Sequence, residues 1–314
     1  MLYDVIIVGA SYAGLSAGLQ LARARRRVLL IDAGQRRNAE AAAAHGFLSR
    51  DGEAPGEIVR VARDQLLAYP TVEMIDGEAL DAAANSGAFD VTLDSGPSVS
   101  ARRLVLATGV GDVLPEVPGM ARKWGDSVVL CPYCHAYEFS NQPLGVIATH
   151  AVSQHQAVLL PDWGPTTYFT QGVFEPDEEH GALLHARGVA IERTPVVELL
   201  GPSSKLEAVR LADGRKVPLS LALVATETRP IGRLAQQLGC VLVDGTTGPH
   251  IRTDEWQQTS VPGVFAAGDV AGPFHVITLA AMSGTMAGVG AHMSLVAESQ
   301  PDARYHAERS RSVG

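Results

Sequence analysis

Lysine and arginine are in the minority in this chain, 25 against 34 aspartates and glutamates, and the formal net charge is −9. A nucleic-acid binder or a protein of anionic membrane surfaces carries the opposite balance, so both classes are set aside. A small protein with its own charged docking face remains compatible with that charge. Aromatic residues make up only 5% of the sequence, too few to wall a binding surface. The 32 glycines point instead to tight strand–turn–helix junctions between alanine-rich helices. The longest apolar runs fall far short of the roughly 20 residues a bilayer span needs. A strand-like run also begins within the first four residues, with no basic leader ahead of it. The expectation is a soluble, cytoplasmic protein without a membrane partner. With only three cysteines the chain is no disulfide-stapled scaffold, and it suits a reducing compartment. At 314 residues it suits two domains better than one core.

Two of the three cysteines stand together in Cys131-Pro132-Tyr133-Cys134-His135. This spacing serves thiol–disulfide exchange, a zinc site or two buried thiols. Zinc needs four ligands, and no second Cys-x-x-Cys or fitting histidine pair accompanies this one, since His150 and His155 sit in an apolar segment. No metal is expected. Exchange needs a thiolate, and a neighbouring thiol or histidine lowers a cysteine's pKa from its free value of about 8.5. His135 stands where it can act as the base. Glu138 is a candidate to orient it, although a solvent-facing carboxylate has the same sequence signature. Cys240, beside Gly239 at the end of a helical pattern, reads as a plain core thiol.

The order of elements reads as α/β. Val5 to Val8 is a buried parallel strand, followed by a helix from about Ser11 to Arg25 and a second strand from Val28 to Ile31. A long Ala- and Gly-rich loop runs from Ala33 to Pro55, and loops of that length are commonly functional. A helix over Gly56 to Ala68 precedes three strands, Thr71 to Ile75, Phe89 to Leu93 and Val99 to Ala107, of which the later ones suit a small antiparallel insertion. A new unit follows. It holds the cysteine motif, strands Leu144 to Ala148, Thr167 to Thr170 and Leu219 to Ala225, and a helix around Val152 to Leu160. From about Asp244 the chain resumes its first style and ends in a helix from about His275 to Val296. The cluster Arg23, Arg25, Arg26 and Arg27 reads as a helix C-terminus whose cations offset the dipole.

Gly9-Ala10-Ser11-Tyr12-Ala13-Gly14 lies between the first strand and helix, the context that gives a G-x-G-x-x-G pattern meaning. Gly9 permits the tight turn and Gly14 the close packing of helix on strand. Ser11 replaces the middle glycine but leaves the helix N-terminus able to bind phosphate. Asp32, at the end of the second strand, is placed to accept hydrogen bonds from a ribose. An ordinary α/β turn shares this outline.

Three further stretches sharpen the pattern: Leu104-Val105-Leu106-Ala107-Thr108-Gly109 at a strand end, Ala267-Gly268-Asp269-Val270 near the C-terminus, and the cysteine pair between them. In this order they resemble the low-molecular-weight thioredoxin reductase family of FAD-dependent disulfide oxidoreductases, over nearly the whole chain. The resemblance implies two Rossmann-like α/β domains, the second inserted into the first: an FAD-binding domain over residues 1–115 and 244–314 and an inserted one over 116–243. It implies FAD held by Gly9, Ser11, Ala13, Gly14, Asp32, Thr108, Gly109, Gly268, Asp269 and Val276, with Asp32 on the adenosine ribose and Asp269 on the ribityl chain. Cys134 would lie against the flavin and Cys131 would exchange with substrate. The family carries an acid–base aspartate where His135 stands, and the Cys-x-x-Cys-His form is similar to the dithiol oxidases of gliotoxin- and holomycin-type natural products. A homodimer is implied as well.

The inserted unit departs from the family. Its nucleotide turn reads Ala148-Thr149-His150-Ala151-Val152-Ser153-Gln154-His155-Gln156-Ala157 and contains no glycine. The next strand leads into Tyr168-Phe169-Thr170-Gln171-Gly172, with no Arg or Lys for a 2′-phosphate. Hydrogen bonds to charged groups contribute roughly 1.5–3 kcal/mol each. Losing two or three weakens NADPH binding by around a hundredfold or more. His275-Val276 stands where the family presents an Arg-Gln pair near the flavin, which makes His275 a further catalytic candidate. Trp163 and Tyr168 read as lining a domain interface. The expected activity is oxidation of a dithiol to a disulfide with oxygen as acceptor and little use of NADPH. The alternatives are a thioredoxin-disulfide reductase fed by NADPH or reduced ferredoxin, and a non-catalytic redox sensor. The partner is then a small dithiol or a thioredoxin-like protein.

Overall fold

The structure, a computed structural model, describes residues 2–299. The chain divides into two compact units, one of residues 1–37, 59–111 and 229–314 and the other of residues 38–58 and 112–228.

The first unit opens with β1 (Leu2–Val8), α1 (Tyr12–Arg23) and β2 (Val28–Asp32). Next come α2 (Pro55–Leu67), β3 (Val72–Asp76), β4 (Ala79–Asn85), β5 (Ala88–Leu93) and β6 (Ser98–Leu106). The sheet order is β3-β2-β1-β6-β5-β4, with the first four strands parallel and the last two antiparallel. Successive residues of β1 bury on opposite faces, which explains the uninterrupted apolar run. Val5 and Ile7 join one core with Leu15 and Leu21 of α1, whereas Ile6 and Val8 join the other with Leu29 and Leu104. The alanine-rich segment Ala79–Asn85, which the sequence reading passes over, is an edge strand. Its partner β5 imposes the extended backbone against weak intrinsic β-propensity.

The chain then passes through β7 (Val110–Val113) into the second unit: α3 (Met120–Lys123), β8 (Val128–Val129), α4 (Pro132–His135), β9 (Leu144–Ile147), α5 (Ser153–Leu159), β10 (Thr166–Phe169), α6 (Glu178–Ala186) and β11 (Ala190–Glu192). After these come β12 (Val196–Leu200), β13 (Ala208–Leu211), β14 (Lys216–Pro218), β15 (Leu221–Leu223) and the returning β16 (Glu227–Pro230). A parallel sheet runs β11-β10-β9-β15-β8, and β12, β13 and β14 form a small antiparallel sheet. Tyr168 is 1% exposed in this unit's core, its hydroxyl donating to the Phe174 carbonyl at 2.8 Å. Its ring packs with Val129, Val146 and Leu184 of the same unit. The buried Lys123 ammonium donates to the carbonyls of Gly201, Ser203 and Lys205, and Ser127 donates to that of Ser204. A buried cation is tolerated because its donors are matched. Together these bonds fix the segment that enters β8.

Back in the first unit, α7 (Leu234–Gln237), β17 (Leu242–Asp244), β18 (Pro249–Ile251), β19 (Val264–Ala266) and α8 (Ile277–Glu298) complete the chain. β19 pairs in parallel with the end of β6. Cys240 is buried in this unit's core, where its pKa is raised by burial. Of the arginine cluster, Arg26 donates to His292 at 3.0 Å and Arg27 pairs with Glu73 at 3.1 Å, so these cations hold neighbouring elements. Helix α8 is long and apolar enough by length and composition to cross a membrane. In the fold it lies on α1 through small residues. A Cβ on Gly284 would stand 2.1 Å from the Ala13 carbonyl oxygen, and one on Gly288 would stand 2.6 Å from that of Ala17.

Gly284→Ala should therefore push α1 and α8 apart and destabilise the protein by roughly 1–3 kcal/mol. Gly181→Ala in α6, where an added Cβ meets nothing within 4 Å, should be neutral or gain up to about 1 kcal/mol. Thermal melts of both variants check the contrast, and an unchanged melting temperature in Gly284→Ala would contradict this packing.

Candidate functional site

Two clusters carry the chemistry, one in each unit. In the first unit the strand order reverses between β1 and β6, and parallel sheets bind ligands beyond the carboxyl ends of the strands flanking such a reversal. Gly9, with φ +98°, closes the turn after β1, and a Cβ there would stand 2.2 Å from the Ala107 carbonyl oxygen. A Cβ on Gly14 would stand 1.8 Å from Gly9's own carbonyl oxygen. No side chain but hydrogen fits at either position. Ser11 is the extended N-cap of α1, and its side chain caps none of the first-turn N–H groups. Ala13 is buried in that turn. The Ala10 N–H donates to Asp32 Oδ1 at 3.3 Å, and Arg63 lies 4.0 Å from Oδ2.

Thr108 and Gly109 follow β6, and Gly268 and Asp269 follow β19, which brings them to the same edge of the sheet. The Gly268 N–H donates to Ser283 at 2.9 Å, and Asp269 pairs with Arg37 at 3.1 Å. Arg36 beside it keeps its Nε buried without a partner. Uncapped helix N–H groups, a turn closed to all but glycine and an orphaned cation nitrogen suit a dinucleotide such as FAD. Ser283, Arg37, Arg36 and Arg63 escaped the sequence reading, because only the fold brings them to the motif. His275 and Val276 precede α8, which starts at Ile277 and not at His275, with Val276 as its extended N-cap.

In the second unit, β8 runs straight into Leu130 and the cysteine motif. Cys131 is the extended N-cap of α4, Pro132 fills its first position, and the single turn brings Cys134 back over Cys131. Both are free thiols with Sγ atoms 2.7 Å apart. The hydrogen bond from Cys134 lowers the Cys131 pKa to about 7 against the opposing effect of burial, with help from the backbone N–H groups of Cys134 and Tyr133. The same bond, joined by burial, pushes Cys134 well above the ordinary thiol range. Burial holds His135 below its usual value, while Glu138 and Asp126 pull it up and His45 pushes it further down. Among the described residues, no group of three His, Cys, Asp or Glu side chains is placed to hold a metal ion.

Glu138 is exposed and faces His45, whose Nε2 lies 3.3 Å from its Oε1. The Tyr133 ring meets Trp163 edge-on at 5.5 Å, which places Trp163 beside the motif within this unit. Gln156, on α5, donates to the Leu130 carbonyl at 2.8 Å and so holds the residue that leads into Cys131. No local sequence signal marks it.

The turn that leads into α5 is closed on itself, while α5, like α1, has no side-chain cap. The Thr149 N–H donates to Ser153 Oγ at 3.3 Å, the Val152 N–H to His150 Nδ1 at 3.2 Å, and the Ser153 N–H to the His150 carbonyl at 3.0 Å. His150 is thus a turn residue, and His155 is exposed. Beyond β10, Thr170 donates to Glu175 at 3.0 Å, Gln171 bonds the backbone of Val196, and Arg193 pairs with Glu175 at 3.0 Å.

Comparison with known proteins places this geometry in a family. The pyridine nucleotide-disulphide oxidoreductase family matches over residues 3–159 and 177–291. The chain is 32% identical to thioredoxin reductase tcpT of Claviceps purpurea, over 94% of this chain and 95% of that protein. It is 30% identical to thioredoxin reductase sirT of Leptosphaeria maculans, covering 92% and 93%. Among solved structures, an oxidoreductase from Agrobacterium tumefaciens superposes with a TM-score of 0.90 at 47% identity, covering 94% of this chain and 99% of that one. HlmI superposes at 0.88 with 38% identity, covering 98% and 97%. The chain belongs to the pyridine nucleotide-disulphide oxidoreductase family and is a thioredoxin reductase-like, FAD-dependent enzyme acting on thiols and disulfides.

In the reduced protein, alkylation of Cys131 should lose rate as the pH falls through about 7, because its thiolate is present above that value. Cys134→Ala removes the donor and should move the inflection up toward the ~8.5 of a free thiol. Peptide mapping after timed iodoacetamide treatment reads both, and an inflection that is the same in the two proteins would contradict the assignment.

Proposed function

We propose that this enzyme oxidises a dithiol to a disulfide through Cys131 and Cys134, with oxygen as final acceptor and little use of NADPH. The observation that supports the reading is the turn ahead of α5, where no glycine stands and the N–H groups of Thr149 and Val152 are taken up by the Ser153 hydroxyl and the His150 ring. Arg193, which follows the neighbouring strand β11, is paired with Glu175.

The asymmetry of the two thiols sets the order of events. His135, neutral near pH 7 because burial lowers its pKa, takes the proton of one substrate thiol. The resulting thiolate attacks Cys131 Sγ, and the Cys131–Cys134 bond breaks. Burial disfavours the departure of Cys134 as a bare thiolate. His135, the next residue, returns the proton to it. The second substrate thiol then loses its proton to His135 and attacks the mixed disulfide. Cys131, with a pKa near 7, departs readily and takes up that proton. The substrate leaves as a disulfide, two electrons poorer, and the enzyme holds two thiols. FAD, when bound, would supply the acceptor for two electrons from the Cys131–Cys134 dithiol, which would lose two protons as its disulfide re-forms, and oxygen would take up both electrons and both protons as hydrogen peroxide.

Gly9, Ser11, Ala13, Gly14, Asp32, Thr108, Gly109, Gly268, Asp269 and Val276 are the residues we assign to FAD, with His275 as a further catalytic group. A cytoplasmic homodimer accompanies the reading. The relatives named thioredoxin reductase support a second one, in which a thioredoxin-like protein is reduced.

With dithiothreitol as substrate, the holoenzyme should consume one oxygen per dithiol and release peroxide. Cys131→Ser and Cys134→Ser should each abolish uptake, and His135→Ala should slow it by about 10²–10⁴-fold. Unchanged oxygen consumption in Cys134→Ser would overturn the route.

A further inference from the structure

The segment from Asp32 to Arg37 is short, and both its ends are tied down. Asp32, the last residue of β2, accepts the Ala10 N–H of the glycine turn at 3.3 Å. Arg37 pairs at 3.1 Å with Asp269, just past β19, and both side chains are largely buried. The sheet sets the distance between these anchors. β2 lies beside β1, and Leu104 to Leu106 of β6 pair with β1 on one side and with β19 on the other. Three strand spacings therefore separate the ends of β2 and β19, about 14 Å in all. The chain from Asp32 to Arg37 reaches at most about 18 Å when fully extended. With so little slack it crosses the carboxyl ends of β1 and β6, past the turn that Gly9 closes and the N-terminus of α1. That is the path assigned to FAD, from the adenosine ribose at Asp32 to the ribityl chain at Asp269, with the diphosphate between them.

The cations on this path are unequally engaged. Arg37 is held by Asp269, and Arg63 by Asp76 at 2.7 Å. Arg36 keeps its Nε buried without a partner. A buried donor left without an acceptor destabilises a fold unless a bound group supplies one. We propose that the two arginines divide FAD between them: Arg36 supplies the charge that neutralises the diphosphate, and Arg37 is a positioning residue that holds the Asp269 carboxylate in place for the ribityl chain. This rests on the assignment of Asp32 and Asp269 to FAD. Each phosphate of the cofactor brings a negative charge into a protein whose own net charge is −9. The N-terminus of α1 offsets only about half an elementary charge. A guanidinium, with its planar fork of donors, suits the remainder.

The test reads cofactor affinity, apart from turnover. Full-length holoenzyme is diluted to equilibrium at several salt concentrations, the released FAD is measured by its fluorescence, and ADP or adenosine is added to compete for rebinding. Arg36→Gln should weaken FAD and ADP binding by about tenfold or more and leave adenosine unchanged. Its FAD affinity should also depend less on salt, because a screened charge is gone. Arg36→Lys should recover most of the loss. Arg37→Gln should weaken FAD by about tenfold and leave ADP unchanged, since ADP has no ribityl chain. Circular dichroism at saturating FAD checks that each variant is folded. Equal losses of ADP and adenosine in Arg36→Gln, or of FAD and ADP in Arg37→Gln, would mean packing roles and overturn the division, as would an unchanged FAD affinity in either variant. Unchanged FAD affinity in Asp32→Ala would instead overturn the assignment on which the proposal rests.

Discussion

The hydrogen bond from Cys134 to Cys131, between sulfurs 2.7 Å apart, makes two chemically identical thiols unlike. One becomes a thiolate near neutrality and the other keeps its proton. The rest of the second unit serves to hold that contact. A buried ammonium at Lys123 and the Ser127 hydroxyl fix the entry to β8, Gln156 holds Leu130, and Pro132 starts the turn that brings Cys134 back. Without that fixed turn the sulfurs would have no reason to share a proton, and neither the leaving-group order nor the need for His135 would follow.

The first unit solves a separate problem with the same kind of sheet. A parallel strand needs a crossover, and each crossover starts from a carboxyl end, so reactive loops gather on one edge. At Gly9 and Gly14 the backbone is packed too tightly for any Cβ, and the glycines are required by contact as well as by conformation. The second unit keeps this architecture with a different turn. Ser153 and His150 bind the N–H groups of Thr149 and Val152 ahead of α5, and the helix helps to position the dithiol through Gln156.

Much of this was legible in the sequence wherever the signal is local. The first strand, α1, the glycine turn, the cysteine turn and the missing glycines before α5 each occupy one short stretch with its own composition. What escaped depends on distant partners. Ala79–Asn85 is composed like a helix and becomes a strand only because β5 lies beside it. The pairing of Arg37 with Asp269 joins opposite ends of the chain. Glu138 has the sequence signature of a solvent-facing carboxylate as much as of a partner for His135, and only the fold sets it at the surface against His45, from a loop that its length alone makes notable.

The central claim is that electrons enter from a dithiol through the cysteine pair and not from a pyridine nucleotide. Anaerobic titration of the purified holoenzyme, following the visible flavin band, tests it in one cuvette. Dithiothreitol should bleach the band with a stoichiometry near one dithiol per flavin, and micromolar NADPH should bleach it slowly or leave it unchanged. Full bleaching by NADPH within seconds would contradict the account and restore a pyridine-nucleotide-driven reductase.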